Sequence, residues 1–219
     1  MRVFLFLIYL LSINFCISQN EKSGLKKLYN YNAFKSGEKL EYNLNYGFLN
    51  TSYASLSLKE EVLNGKTVFR ASSVGRTTGL ARLFFKVDDL YETFFSKETV
   101  RPLKSIRDIY EGGYERKAET KYDYDTNTAF FYNKLKNTKK EFKIHSEIQD
   151  IISTFYYLRK HLNISILEPN DLINVDIFFG QEIYPFKMMF LGIEIIKTKF
   201  GLVECLKLRP YMESGRVFR

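Results

Sequence analysis

Period-two alternation of apolar and polar residues begins after Glu38 and constrains the fold of this chain more than any other feature. The apolar side chains of the first run would share one face of an extended strand: Leu40, Tyr42, Leu44 and Tyr46. Similar short runs follow, and turn pairs such as Asn64-Gly65 and Gly112-Gly113 separate them. Alternation is typical of half-buried strands, and an Asn-Gly pair between two strands favours a tight hairpin. We therefore expect a mainly β fold, an antiparallel meander that forms a curved sheet, a sandwich or a partly open barrel.

Residues 75–79 are polar and flanked by glycines, which predicts a loop. The runs at 82–87 and 90–96 are strand-like, and the Asp88-Asp89 pair between them is interpreted as a turn. We assign both runs to strands of the sheet.

One later segment follows helical spacing instead. Its apolar residues recur on a single helical face: Ile148, Ile151, Ile152, Phe155, Leu158 and Leu162. Just before them, Ser146 and Gln149 have the spacing of a capping box, in which a side chain and the first helical turn bond reciprocally. The sequence predicts one amphipathic helix, over about residues 147–162, packed on the sheet.

The first eighteen residues have the order of a secretory signal peptide. Arg2 precedes an apolar run at 3–11, and a break of small residues follows before the chain turns polar. The run is shorter than the roughly 20 apolar residues that a membrane-spanning helix needs. We expect cleavage after Ser18, which predicts a signal peptide over 1–18, a flexible N-terminal segment over 19–33 and a single β-rich domain over 34–219. The predicted location is the periplasm or the outside of the cell.

A lipoprotein acylated at Cys16 is the alternative for this N-terminus. It is disfavoured because Phe15, rather than a small residue, precedes the cysteine. Cleavage after Ser18 would leave Cys205 as the only cysteine of the mature chain. We therefore expect no intramolecular disulfide and interpret Cys205 as a small buried apolar group.

The chain carries a net charge of +8, and the excess is concentrated in a basic loop at residues 134–143. The lysines are Lys134, Lys136, Lys139, Lys140 and Lys143. The preferred interpretation is a solvated hairpin turn, and the alternative is a peripheral contact with an anionic envelope surface. Because we expect export, we expect no nucleic acid as the partner of this loop.

Residue types that perform catalysis are present but do not form a recognisable constellation. His145 and His161 are the only histidines, and neither has a metal-ligand neighbour at the usual spacing. Asp88-Asp89 and the pair Asp108 and Glu111 are the closest approach to paired carboxylates, and strand geometry would place the latter two on opposite faces. We predict no catalytic, cofactor-binding or metal-binding residue, no cofactor and no enzymatic activity, and we assign no ligand-binding residue.

Motifs spread over the chain from residue 34 carry a resemblance to a known family. The first is Phe34-x-x-Gly37-Glu38-x-Leu40-x-Tyr42, and the most specific is the block Gln-Asp-Ile-Ile-Ser-Thr-Phe-Tyr-Tyr-Leu-Arg at 149–159. Further positions agree near the end: Gly192, Glu194, Thr198, Gly201, Cys205, Lys207 and Pro210. On these residues the chain resembles the domain of unknown function 3108, found in exported proteins of Gram-negative bacteria. The resemblance implies an exported β-rich domain without an established activity, and a C-terminus that continues beyond Arg219, so we expect this chain to be truncated.

These features favour an exported, non-catalytic β-rich protein that binds a lipidic or other envelope-derived ligand in the concavity of its sheet. One alternative is a structural or assembly protein of the cell envelope that contacts a protein partner. Another is a hydrolase of envelope polymers, which would need two carboxylates that converge in a cleft.

Overall fold

The structure is a computed structural model that describes residues 15–16, 33–47, 49–198 and 200–211. Nearly all of the predicted signal peptide (1–18) and N-terminal segment (19–33) lies outside the described residues. The strands are β1 (Phe15–Cys16), β2 (Lys39–Tyr46), β3 (Leu49–Leu63), β4 (Lys66–Thr77), β5 (Val87–Phe95), β6 (Pro102–Glu111), β7 (Tyr114–Asp123), β8 (Thr128–Asn133), β9 (Thr138–Lys143), β10 (Leu172–Phe179), β11 (Glu182–Thr198) and β12 (Gly201–Tyr211). The helices are α1 (Gly79–Phe84) and α2 (Ser153–His161), and a short 3-10 helix follows at Ile164–Ile166.

The larger sheet is an antiparallel meander in which eight strands pair in chain order from β2 to β9. Its edge strands β2 and β9 do not pair with each other, so the described sheet is not a closed barrel. The Asn64-Gly65 pair makes the expected hairpin between β3 and β4, with φ of 51° and 77° at the two residues. Positive φ at both positions is what a tight two-residue hairpin requires, and Asn and Gly tolerate it best. The predicted mainly β meander is confirmed.

The smaller sheet has the order β1-β12-β11-β10. The backbone of Gln149 links the two sheets. Its N–H donates to the carbonyl of Asp176 at 2.9 Å, and its own carbonyl accepts from the N–H of Phe178 at 2.8 Å. Residue 149 thus pairs with β10 although it follows the last strand of the larger sheet, and this fixes the loop before α2.

Helix α2 confirms the predicted amphipathic helix but not its start. It begins at Ser153, and the capping box of Ser146 and Gln149 is wrong because Gln149 is already paired with β10. Phe155 and Tyr156 pack in the core of the larger sheet, whereas Leu158 packs with residues of the smaller sheet. The helix therefore lies between the two sheets. Within the described part of the chain, no helix is long and apolar enough to cross a membrane.

The strand predicted over 82–87 is wrong, because residues 79–84 form α1. Strand β4 extends to Thr77 through the predicted loop at 75–79, and Asp88-Asp89 lies inside β5 rather than in a turn. Leu80, Leu83 and Phe84 have the i, i+3, i+4 spacing of one helical face. The run is too short for this spacing to be distinguished from an apolar strand.

Aromatic side chains form the centre of the core. Phe95 has no solvent-exposed area, and its ring centroid lies 5.2 Å from that of Tyr156, 5.7 Å from that of Phe69 and 6.1 Å from that of Phe34. Edge-on and offset ring pairs at such distances add to the free energy gained by burial. In this region the aromatic side chains pack against one another in the core.

The expectation of a free Cys205 is wrong for the chain described here, because Cys205 is disulfide-bonded. The backbone register of β1 and β12 places Cys16 opposite Cys205, and the chain has two cysteines. Cys205 is 1% exposed, so its buried position is as predicted. Cleavage after Ser18 stays a prediction.

We expect Phe95→Ala to destabilise the protein by about 3–5 kcal/mol, because it leaves a cavity inside the aromatic core. The free energy of unfolding from urea titration measures this. Leu135→Ala is the control, since Leu135 is 49% exposed and its removal should cost less than about 0.5 kcal/mol. Equal effects of the two substitutions would contradict the assigned core.

Candidate functional site

A small cleft, partly open to solvent, lies where the two sheets meet α2. One wall is the inner face of β5, β6 and β7, a second is the turn at residues 150–152, and a third is the end of β10 with Gly180. Its lining mixes apolar and polar groups: Tyr91, Glu92, Ser105, Ile106, Arg107, Thr120, Asp150, Ile151, Ile152, Phe178, Phe179 and Gly180. None of these residues was predicted from the sequence to form a binding site.

The strand register explains why polar groups collect in the cleft. Thr93 of β5 lies opposite Ser105 of β6, and Ser105 lies opposite Thr120 of β7. Residues that are directly opposite in paired strands share a face of the sheet. Three short hydroxyl side chains therefore form a polar row across the inner face, next to the apolar core.

Arg107 lies one step along the same face, between Tyr91 and Ala118 on the neighbouring strands. It is only 8% exposed, and its Nη1 has no hydrogen-bond partner. No ion pair involves Arg107 among residues 33–47, 49–198 and 200–211. Since a buried charge without a partner costs several kcal/mol, a fold does not retain one in this form for stability.

The surroundings of Arg107 are aromatic. Its guanidinium carbon lies 4.5 Å from the centroid of the Phe179 ring, in the arrangement of a cation–π contact. Burial, followed by repulsion from Arg116, lowers the pKa of Arg107 to about 10. The group is therefore still a cation at neutral pH, and it presents an unused donor to the cleft.

Asp150 joins the three walls of the cleft. Its Oδ2 accepts a hydrogen bond of 2.5 Å from the hydroxyl of Thr93, and its Oδ1 accepts from the backbone N–H groups of Ile152 at 3.0 Å and Ser153 at 2.7 Å. The hydroxyl of Ser153 accepts in return from the N–H of Asp150 at 2.8 Å. This is a reciprocal cap four residues after the predicted one.

Burial raises the pKa of the Asp150 carboxyl, and the hydrogen bonds from Ser153 and Thr93 oppose that rise. The carboxylate oxygens are directed at these donors, so the group serves to hold α2 against β5. Its acceptor capacity is largely used, and Asp150 is a positioning group for the cleft rather than a free acid.

A pair of acidic residues lies on the same inner face, nearer the end of the sheet. Asp89 of β5 is opposite Ile109, two residues from Glu111 on β6, so the two carboxyl groups are diagonal neighbours. Burial and then the charge of Glu111 raise the pKa of Asp89 to about 7, against the effect of a hydrogen bond from the Tyr110 N–H. Sequence spacing did not predict this pair, because it depends on the register of β5 with β6.

The other acidic residues and the two histidines named from the sequence have partners outside the cleft. Asp88 accepts two hydrogen bonds from Arg82, at 2.8 and 2.7 Å, and Asp108 lies 3.4 Å from the amine of Lys117. His145 Nε2 lies 2.9 Å from Asp176 Oδ2, and the ring of His161 lies beside Tyr157. Across the described ranges, no cluster of three or more His, Cys, Asp or Glu residues has the geometry to hold a metal ion.

The basic loop at 134–143 forms the turn and second strand of the β8–β9 hairpin. Lys134 lies 3.4 Å from Glu119. Lys136 is exposed in the turn, and Lys139, Lys140 and Lys143 are exposed along the edge strand β9. Charged side chains on an edge strand discourage pairing with another sheet. The hairpin is as expected, and an envelope contact through it stays a prediction.

We expect Asp150→Ala to destabilise the protein by about 2–4 kcal/mol, because it removes a helix cap and a buried charged hydrogen bond. Asp150→Asn keeps an oxygen acceptor for the cap and should lose clearly less. Urea unfolding measures both, with the exposed Asp125→Ala as the control. If the Asn and Ala variants were equally unstable, the capping role would be wrong.

Asp89 predicts a pH effect with a defined sign. Because folding raises its pKa from 3.8 to about 7, the folded state holds an extra proton between these values, and stability falls as the pH rises through this window. Asp89→Asn removes the titration, so the variant should be more stable relative to the wild type at pH 8 than at pH 5, as measured by the difference in their free energies of unfolding. A difference independent of pH would contradict the buried acid pair.

The family comparison covers most of the chain. The family model described as "Protein of unknown function (DUF3108)" matches residues 41–219. Among curated proteins and among solved structures, none matches the chain. The family match confirms the resemblance seen in the motifs, including the 149–159 block that contains the Asp150 cap. The chain belongs to the DUF3108 family of proteins of unknown function.

Proposed function

We propose that this protein is an exported, non-catalytic binding protein that holds a small anionic amphiphile from the cell envelope in the Arg107 cleft. The observation that carries the proposal is the buried guanidinium of Arg107, whose Nη1 has no partner. An anionic ligand would supply the missing acceptor. Arginine is well suited to this, since its planar donors match the oxygens of a carboxylate or a phosphate.

The remaining lining suits an apolar tail beside the anionic group. Phe178, Phe179, Ile151 and Ile152 form the apolar part of the cleft. The empty space of about 330 Å³ in and above the cleft includes open solvent, so the enclosed part of the cleft is small. The anionic group would occupy that enclosed part and a short chain would lie along the open side, whereas the aromatic core fills the part of the concave face that a whole lipid would need.

Export is supported by the sequence pattern of residues 1–18 and by the family resemblance. An envelope compartment is rich in anionic amphiphiles, so location and cleft chemistry agree. The Asp89–Glu111 pair does not favour the hydrolase alternative, because neither residue lines the cleft.

The experiment compares Arg107→Met with the wild type in both stability and binding. Removing an unpaired buried charge should stabilise the protein by about 1–3 kcal/mol. The same substitution should weaken binding of octyl phosphate or octanoate at least tenfold in calorimetric titration, whereas octanol should bind weakly to both proteins. Inorganic phosphate separates recognition of the anionic group from recognition of the chain.

Arg209→Met is the matched control, because Arg209 is an exposed arginine on β12. It should leave stability and binding unchanged. Arg107→Lys should bind with intermediate affinity, since it keeps the charge but loses the planar donors. Unchanged ligand affinity in Arg107→Met would overturn the proposal, as would a wild-type protein that binds none of the charged probes.

A further inference from the structure

Large apolar side chains are exposed together on α1 and the residue after it, a segment called here the α1 tip (residues 79–85). Leu80 is 59% exposed, Leu83 80% and Phe84 89%. Leu49, at the start of β3, is 39% exposed and lies next to Asn50, whose carbonyl contacts Gly79. Exposed apolar residues are common singly, but a contiguous group on one protruding turn marks an interaction surface.

The α1 tip is held in place by polar contacts beneath it. The N–H of Thr78 donates to the carbonyl of Thr51 at 2.9 Å. Arg82 makes a two-pronged ion pair with Asp88 and also donates to the carbonyl of Val87 at 3.2 Å. The apolar side chains are therefore presented by an anchored turn.

Gly112 provides the other anchor. A Cβ built at this residue would lie 2.2 Å from the ring of Phe85, so only glycine lets that ring settle on the β6–β7 hairpin. Phe85 thus faces the protein in part, at 46% exposure, whereas Leu83 and Phe84 project into solvent. Phe85 therefore forms the anchoring side of the tip, and Leu83 and Phe84 form its free side.

Cationic side chains lie around the base of the tip. Arg76 lies over the ring of Tyr53, Lys86 lies over the ring of Tyr110, and Arg82 completes the group. Asp88 is the acid that pairs with Arg82 and Lys86. Two further acids lie near these rings: Glu41, which accepts from the Tyr53 hydroxyl and pairs with Lys39, and Glu115, which is opposite Tyr110. Four cations and three carboxylates leave the base of the tip with a small positive excess, in a chain whose net charge is +8.

We propose that the α1 tip inserts into the interface of an anionic lipid bilayer. An anionic bilayer offers an apolar phase for Leu80, Leu83 and Phe84 and negative headgroups for the surrounding cations, which is the combination that interfacial anchors use. A second copy of the chain would bring two positive tips together, and their charges would repel. Charge therefore favours a lipid surface as the occupant.

The test uses the absence of tryptophan from the chain. Phe84→Trp places a single fluorescent reporter at the tip, and its emission should shift to the blue with vesicles of 30% phosphatidylglycerol in phosphatidylcholine but not with phosphatidylcholine alone. Added salt should reduce the shift, because it screens the cations.

Vesicle sedimentation then compares two double variants. Leu83→Ser with Phe84→Ser should lower the partition coefficient of the protein at least tenfold. Ile193→Ser with Ile195→Ser is the matched control, since these residues of β11 are 56% and 66% exposed, and should change it less than twofold. Lys86→Glu should weaken binding several-fold without removing any apolar surface.

Two outcomes would overturn the inference: equal vesicle binding by the tip variant and the wild type, or a wild-type dimer in solution that the tip variant converts to a monomer. Arg107→Met should bind vesicles like the wild type. Failure of the cleft proposal is thereby distinguished from failure of this one.

Discussion

The hydrogen-bond network around Asp150 is the constraint on which the rest of the structure depends. Its carboxylate bonds to Thr93 in the larger sheet and to the first N–H groups of α2, while the preceding residue, Gln149, pairs through its backbone with β10 in the smaller sheet. Two adjacent residues thus connect all three layers. The cleft exists because these connections hold α2 and the end of β10 at a fixed distance from the inner face of β5–β7.

Arg107 is a buried arginine that the fold leaves without an ion-pair partner among the described residues. The fold provides a short side chain, Ala118, on one side and an aromatic ring, Phe179, on another, but no acid in ion-pair contact within the described residues. Structural arginines in protein interiors are normally paired, because desolvation of the charge is otherwise uncompensated. The contrast with Arg159, which binds Glu38 through two hydrogen bonds of 2.6 and 2.7 Å, shows that this fold pairs a half-buried arginine elsewhere.

Sequence patterns predicted the strands well where local chemistry dominates. The alternation at 40–46 and the Asn64-Gly65 turn depend on adjacent residues, and both appear as expected. The helix at 153–161 was predicted, but its first residue was not. Gln149 does not cap a helix because its backbone forms hydrogen bonds with β10, which is distant in sequence. Residues 82–87 were assigned to a strand because a six-residue helix gives too short a periodic signal to distinguish from an apolar run.

The sequence by itself determined the β class, the order of the meander and the amphipathic helix, because turn chemistry and side-chain periodicity are local properties. Its motifs also determined the family. Only the tertiary structure decided that Arg107 is buried without a partner, that Asp89 meets Glu111 and that Asp150 caps α2. These relations depend on strand register and on the contact between two sheets, and pairing between distant strands is set by the whole fold rather than by neighbouring residues.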